Sequence, residues 1–190
     1  MIKAIITDFD GTLVDTFEAN LCAYQQAFAS QGLLLSPEKY RECFGYRFER
    51  FMTTVGIFDE RIAHAIKEAK KTCYPDYFEF LKPNQALIDL IVSMKTMGAK
   101  TAIASTARKE NLMNAVNYLG IAEHFDLIFA GVDVMQGKPS PEIYLKTMDA
   151  LHVSPEETLI FEDSSVGIEA AKASGAQYMI VPAQQFDSAK

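Results

Sequence analysis

The chain has 190 residues, 49% of them hydrophobic and 23% charged. These are ordinary globular proportions, and the length suits one domain, or one domain with a modest insertion, burying about 70% of the unfolded chain's surface. A formal net charge of −7 argues against nucleic acid or an anionic membrane as partner, since both need a basic footprint, while an anionic small molecule stays possible.

A mostly apolar segment, Ile2 to Ile6, predicts a first strand that runs into Asp8-Phe9-Asp10-Gly11-Thr12. No signal peptide precedes it, no apolar run is long enough to span a bilayer, and the cytoplasm is the expected location. Alternate strand residues share a face, so Asp8 and Asp10 start out close together. The break at Gly11 leaves both at the strand's carboxyl end, where open α/β sheets take their ligands. Two carboxylates that close need a cation or a shared proton; a divalent metal is the usual relief, and oxygen donors favour magnesium. A plain Asp/Gly surface turn is the alternative, but the apolar residues running up to both carboxylates weigh against it.

The next segment, roughly Phe17 to Leu81, reads as almost entirely helical. Glu18 to Gln31 carries Leu21, Tyr24 and Phe28 at helical spacing before Gly32. Ser36-Pro37-Glu38 opens a second helix with a capping residue and a proline at the first position. Asp59 to Leu81 predicts a longer helix, interrupted or bent near Pro75. Alternation then resumes: helix Gln85–Met97, strand Lys100–Ala104, helix Lys109–Leu119, strand Asp126–Ala130, helix Pro141–Leu151, strand Thr158–Phe161, helix Ser165–Ala173 and strand Gln177–Val181. Such alternation predicts an α/β core, residues 1–16 and 82–190, built on a mainly parallel sheet with helices on both faces. The helical block, residues 17–81, is then a small all-α cap inserted after the first strand. Cys22, Cys43 and Cys73 lack the close pairing of zinc sites and are read as reduced, buried structural thiols. His64, His124 and His152 are read as ordinary surface or partly buried residues.

Three further polar clusters fall where strands end. Ser105-Thr106 offers hydroxyls and backbone N–H groups ahead of a helix, an anion site or a plain helix cap. Lys138 lies in Gln136-Gly137-Lys138-Pro139-Ser140-Pro141-Glu142, where the prolines stiffen the loop and could hold the ammonium fixed at a phosphate. Glu162-Asp163-Ser164 ends the strand that starts at Thr158. A cap at Asp163 or Ser164 does not explain two adjacent carboxylates, whereas a metal site shared with Asp8 and Asp10 does.

In this order and spacing the four clusters resemble the motifs of the haloacid dehalogenase superfamily, in its phosphatase and β-phosphoglucomutase-like branch with a helical cap. Asp8-Phe9-Asp10-Gly11-Thr12 is similar to the first motif, Ser105 to the second, Lys138-Pro139-Ser140-Pro141-Glu142 to the third, and Glu162-Asp163-Ser164 with Gly167 to the fourth. The resemblance implies a Rossmann-like core and a magnesium-dependent phosphoric monoester hydrolase for a small phosphorylated metabolite. Asp8 would be the nucleophile that forms an aspartyl phosphate, and Asp10 the acid and base. Magnesium would be held by the side chains of Asp8 and Asp163 and the main-chain carbonyl of Asp10, with Glu162 a further candidate ligand. Ser105, Thr106 and Lys138 would hold the phosphoryl oxygens, and Lys138 would keep Asp8 ionised. Dehalogenating members characteristically lack the second aspartate, so Asp10 favours phosphate esters. The alternative is a phosphosugar mutase, whose characteristic cap histidine is matched here by Asn20. A non-catalytic phospho-ligand binder on the same fold is the alternative of another class. Phe44-Gly45-Tyr46-Arg47 looks like the cap loop that sets substrate specificity, with Arg47 the candidate contact or a solvated residue. A monomer is expected.

Overall fold

The computed structural model describes residues 1–182 and 186. It divides into two compact units, Met1–Asp15 with Lys82–Lys190, and Thr16–Leu81.

The first unit is a parallel sheet with helices. Its strands are β1 (Ala4–Thr7), β4 (Lys100–Ala104), β5 (Leu127–Phe129), β6 (Thr158–Glu162) and β7 (Gln177–Ile180), in the spatial order β5-β4-β1-β6-β7. Every β1 residue is buried, as expected for a central strand covered on both faces. β1 is the point where strand order reverses. β4 and β5 extend the sheet one way and β6 and β7 the other, so the carboxyl ends of β1 and β6 flank the crevice where such sheets bind ligands. Helices α5 (Gln85–Thr96), α6 (Lys109–Tyr118), α7 (Glu142–Leu151) and α8 (Ser165–Ala173) link the strands. Ile6, Ala102, Ala104, Ile143, Tyr144, Met148 and Ile160 form one continuous core with Ala170 and Ala171 of α8. Small residues at Ala102, Ala104, Ala170 and Ala171 let helix and sheet approach closely.

Two features depart from the sequence expectations. A two-stranded antiparallel sheet pairs β2 (Val14–Asp15) with β3 (Lys82–Pro83), joining segments far apart in the chain. Helix α7 ends on His152 in the left-handed conformation, with φ 56°, a position a glycine would usually occupy.

The second unit is helical: α1 (Phe17–Ala29), α2 (Pro37–Cys43), α3 (Phe48–Thr54), α4 (Glu60–Cys73) and a 3-10 segment, Tyr74–Phe80. Ser36 caps α2 as its sequence suggests, its Oγ accepting from the Lys39 N–H at 3.1 Å. The helix read over Asp59 to Leu81 is interrupted after Cys73, near Pro75 as expected, and the chain tightens to 3-10 geometry because Pro75 offers no N–H to an α-helical ladder. The core of this unit joins Phe28, Leu35, Tyr40, Phe51, Met52 and Ile66. Cys43 and Cys73 are buried thiols, while Cys22 is only half-buried; all three are free. No described helix is long and apolar enough to cross a membrane.

Candidate active site

Strand register builds the centre of the site. Thr7 pairs with Phe161, and the Asp8 N–H donates to the Phe161 carbonyl at 3.0 Å, so Asp8 and Glu162 leave adjacent strands side by side. Lys138 arrives from the loop between β5 and α7. Glu142, in the first turn of α7, clamps that loop by accepting the N–H groups of Met135 at 2.9 Å and Gln136 at 2.7 Å. These bonds, with Lys146, hold the Glu142 carboxyl down at about 2. The Lys138 ammonium lies 2.5 Å from Asp8 Oδ1 and 2.5 Å from Glu162 Oε1, and its side chain is 5% exposed.

Glu162 has no solvent exposure. Its Oε1 also accepts the Tyr144 hydroxyl at 2.7 Å, and its Oε2 accepts the Asp163 N–H at 3.0 Å and the N–H and hydroxyl of Ser164, each at 3.2 Å. A side chain at Gly167 would run into this carboxylate, so the fourth motif's glycine makes room for it. Burial pushes Glu162 up, but the Lys138 charge and these hydrogen bonds more than offset it, and the carboxyl lies below its ordinary value. Burial also pulls the Lys138 ammonium down, but the Asp8 and Glu162 carboxylates beside it more than offset this and hold it well above the usual lysine value.

Asp8 is the opposite case. Burial pushes it well up, the Lys138 ammonium pulls it down, and Glu162, Asp163 and Asp10 push it up again. Asp163 is pushed up to about 6, by burial first and the Glu162 charge next, even though Thr12 donates to its Oδ1 at 2.6 Å. One ammonium does not neutralise this many carboxylates, so the site carries surplus negative charge.

That surplus and the donor types fit a hard divalent cation. Oxygens of Asp8, Glu162 and Asp163 lie within 4.8 Å of one another, the one such cluster found among the described residues. Gly11, at φ 90°, is shaped to this cradle: a Cβ there would collide with the Asp163 carboxylate. The side chain of Asp10 is not part of the cluster. Its Oδ2 instead accepts a long bond, 3.4 Å, from Ser105 Oγ.

Ser105 follows β4 and is buried, its hydroxyl also accepting the Ala107 N–H at 3.1 Å. Thr106, next to it, is half-buried. Asn20 and Arg47 belong to the helical unit. Asn20 is buried with its amide donated to the Thr16 carbonyl at 3.1 Å, and Arg47 is exposed at the start of α3. His64 and His152 are exposed and His124 half-buried.

Sequence reasoning missed three supports. Tyr144 looks like one more core residue of an amphipathic helix, and nothing in the pattern marks where its hydroxyl points. Thr12 was visible within the first motif, but not its bond to Asp163. Asn84 caps α5 by accepting the Leu87 N–H at 3.2 Å and donates its amide to the Thr12 carbonyl at 3.1 Å, bracing the turn that carries Gly11.

The family model described as haloacid dehalogenase-like hydrolase matches residues 5–181. A phosphorylated carbohydrates phosphatase from Thermotoga maritima is 31% identical over 182 residues, covering 93% of this chain and 83% of that protein. The crystal structure of CbbY from Rhodobacter sphaeroides in complex with phosphate superposes with a TM-score of 0.84 at 33% identity, covering 96% of this chain and 87% of that one. A mutant of the same protein, in complex with xylulose-(1,5)bisphosphate, gives a TM-score of 0.84 at 31% identity over 96% of this chain and 87% of that one.

Proposed function

The chain belongs to the haloacid dehalogenase-like hydrolase family, and we propose that within it the protein is a magnesium-dependent phosphatase of a small phosphorylated metabolite, a phosphorylated carbohydrate first. The observation that carries this reading is the buried Asp8–Lys138–Glu162 bridge with Asp163 beside it at the carboxyl ends of β1 and β6.

Phosphoryl transfer asks for positioning and charge neutralisation more than for covalent activation. Asp8 attacks phosphorus as its carboxylate, forming an acyl phosphate while the bond to the leaving oxygen breaks. Asp10 gives its proton to that oxygen, so the alcohol departs neutral. Asp10 then takes a proton from water, whose oxygen attacks phosphorus, releasing inorganic phosphate and restoring Asp8. Lys138, fixed by Glu162, supplies positive charge at Asp8 and at a phosphoryl oxygen, and Ser105 with the backbone around Thr106 supplies further donors. Asp8, Asp163 and the Asp10 carbonyl would hold magnesium, which when bound neutralises charge on the phosphoryl group. Glu162 is better placed as the anchor of Lys138, because both of its oxygens are already engaged. Hydrolysis is preferred over phosphosugar transfer because the position that resembles the mutase histidine is Asn20, whose amide is tied to the Thr16 carbonyl.

The test is release of phosphate from phosphorylated carbohydrates and from nitrophenyl phosphate, with magnesium, by wild type and by Asp8→Asn. Wild-type turnover should vanish on chelation and return with magnesium. Asp8→Asn should lower it at least about 10³-fold with the fold intact by circular dichroism, because an amide cannot serve as nucleophile. Retention of more than about a tenth of the rate would overturn the assignment.

A further inference from the structure

Tyr144 occupies a core position of α7 and has no solvent exposure. A phenylalanine would fill the same space without burying a hydroxyl, which is costly unless it is bonded. The hydroxyl donates to Glu162 Oε1, which also receives the Lys138 ammonium, and it lies close enough to that ammonium to interact with it directly. The tyrosine ring lies under that ammonium as well, 5.0 Å from Nζ to the centroid. Glu162 Oε2 is held by the Asp163 and Ser164 N–H groups and the Ser164 hydroxyl, so Tyr144 restrains the one oxygen the backbone leaves free to turn. α7 therefore meets the lysine at both ends of one loop: Glu142 clamps the chain ahead of Lys138, and Tyr144 sets where its charge comes to rest.

We propose that Tyr144 is a positioning residue of this active site: through Glu162 and its own ring it fixes the Lys138 ammonium between Asp8 and the phosphoryl group. The proposal rests on the phosphatase reading above and deepens it. An ammonium has three N–H donors. Asp8 and Glu162 take two, and the third serves a phosphoryl oxygen only while the other two directions are held. Small losses of geometry at such a group are expensive, because the donor must already be aimed when charge develops.

The test is a double-mutant cycle of Tyr144→Phe and Glu162→Gln, read in affinity for inorganic phosphate by calorimetry with magnesium present, so that it needs no turnover. Tyr144→Phe should weaken phosphate binding by about 5- to 10-fold, the scale of one charge-assisted hydrogen bond. It should lower kcat/KM for nitrophenyl phosphate by a similar factor and leave magnesium affinity unchanged. In the Glu162→Gln background the same substitution should cost distinctly less than in wild type, because its route through the glutamate is already broken. An unchanged phosphate affinity overturns the proposal. So does an equal loss in both backgrounds, which would mark Tyr144 as a packing residue. Wild type that binds phosphate but turns over no phosphate ester would instead sink the phosphatase reading, and the binding cycle would still decide the role of Tyr144.

Discussion

Lys138 in the α/β unit and Lys70 in the helical unit are both withdrawn from water, and each unit replaces that water differently. The Lys138 ammonium rests between two carboxylates at 2.5 Å, with Asp163 and Asp10 close by. The Lys70 residue is 6% exposed, and its ammonium lies 3.5 Å from the ring centroid of Tyr74 and 5.3 Å from that of Tyr24. Tyr24 in turn packs edge-on against Phe51 at 4.9 Å, within an aromatic cluster that includes Tyr40 and Phe44. Ring faces attract a cation through their quadrupole. The carboxylate cluster also attracts the cation, but leaves anionic charge over for a ligand to complete. Burial of a lysine does not by itself mark chemistry; surplus opposite charge around it, as at Lys138, does.

Substitutions in the two units test that contrast, beginning with the largest expected effect. Asp10→Asn should slow release of an alkyl phosphate by about 10²-fold or more and slow nitrophenyl phosphate far less, because a nitrophenolate leaves with little protonation. Equal losses for the two would remove general-acid catalysis from the α/β unit. Arg47→Ala, in the helical unit, should lower kcat/KM for the physiological metabolite by about 10-fold, on loss of a charged hydrogen bond, while leaving nitrophenyl phosphate near wild type. If the surrogate loses as much, Arg47 serves the fold or the phosphate site; if neither substrate changes, Arg47 is a solvated surface residue.

Asp163→Asn probes the surplus charge directly. Its carboxyl ordinarily titrates at 3.8 and is raised to about 6 in the folded chain. Between those values the folded state holds a proton the unfolded state has released, so stability falls as pH rises through that window. The cost is fully present above it. With magnesium chelated at pH 8, Asp163→Asn should melt a few degrees above wild type, the scale of up to about 3 kcal/mol relieved. The difference should shrink as pH is lowered toward 4. Magnesium should raise the melting point of wild type only. A variant that melts below wild type in chelator at pH 8 would show that the site stores no such strain. The smallest effect is expected at Lys70→Met, which exchanges one aliphatic stem over aromatic rings for another. Turnover of nitrophenyl phosphate should change by less than about twofold, since replacing a buried charge with a hydrophobe of similar volume is often neutral. A larger loss would move this lysine from packing to chemistry.

Much of the α/β core was legible because its signals are local. The apolar run before Asp8, the alternation of strands with amphipathic helices and the carboxylates at strand ends each occupy a few consecutive residues. Helix α8 is found over Ser165–Ala173 as its pattern predicts, and β1 is displaced only slightly, to Ala4–Thr7. The 3-10 path of Tyr74–Phe80 was less visible, because a proline marks a break in the helix without specifying the backbone conformation beyond it.

The amino-acid sequence alone determined the parallel α/β core, the family, and the placing of acidic and basic groups at strand ends, because period, turn chemistry and motif order are properties of neighbouring residues. Tertiary structure decided how those groups are paired. Lys138 and Asp8 stand 130 positions apart, and Thr12 and Asp163 stand 151 apart. Tyr144 reads as core by its spacing, and only the fold turns its hydroxyl onto Glu162. Whether a buried polar atom becomes a support or a cost depends on which distant partner the sheet register brings within about 3 Å, and no local pattern encodes that distance.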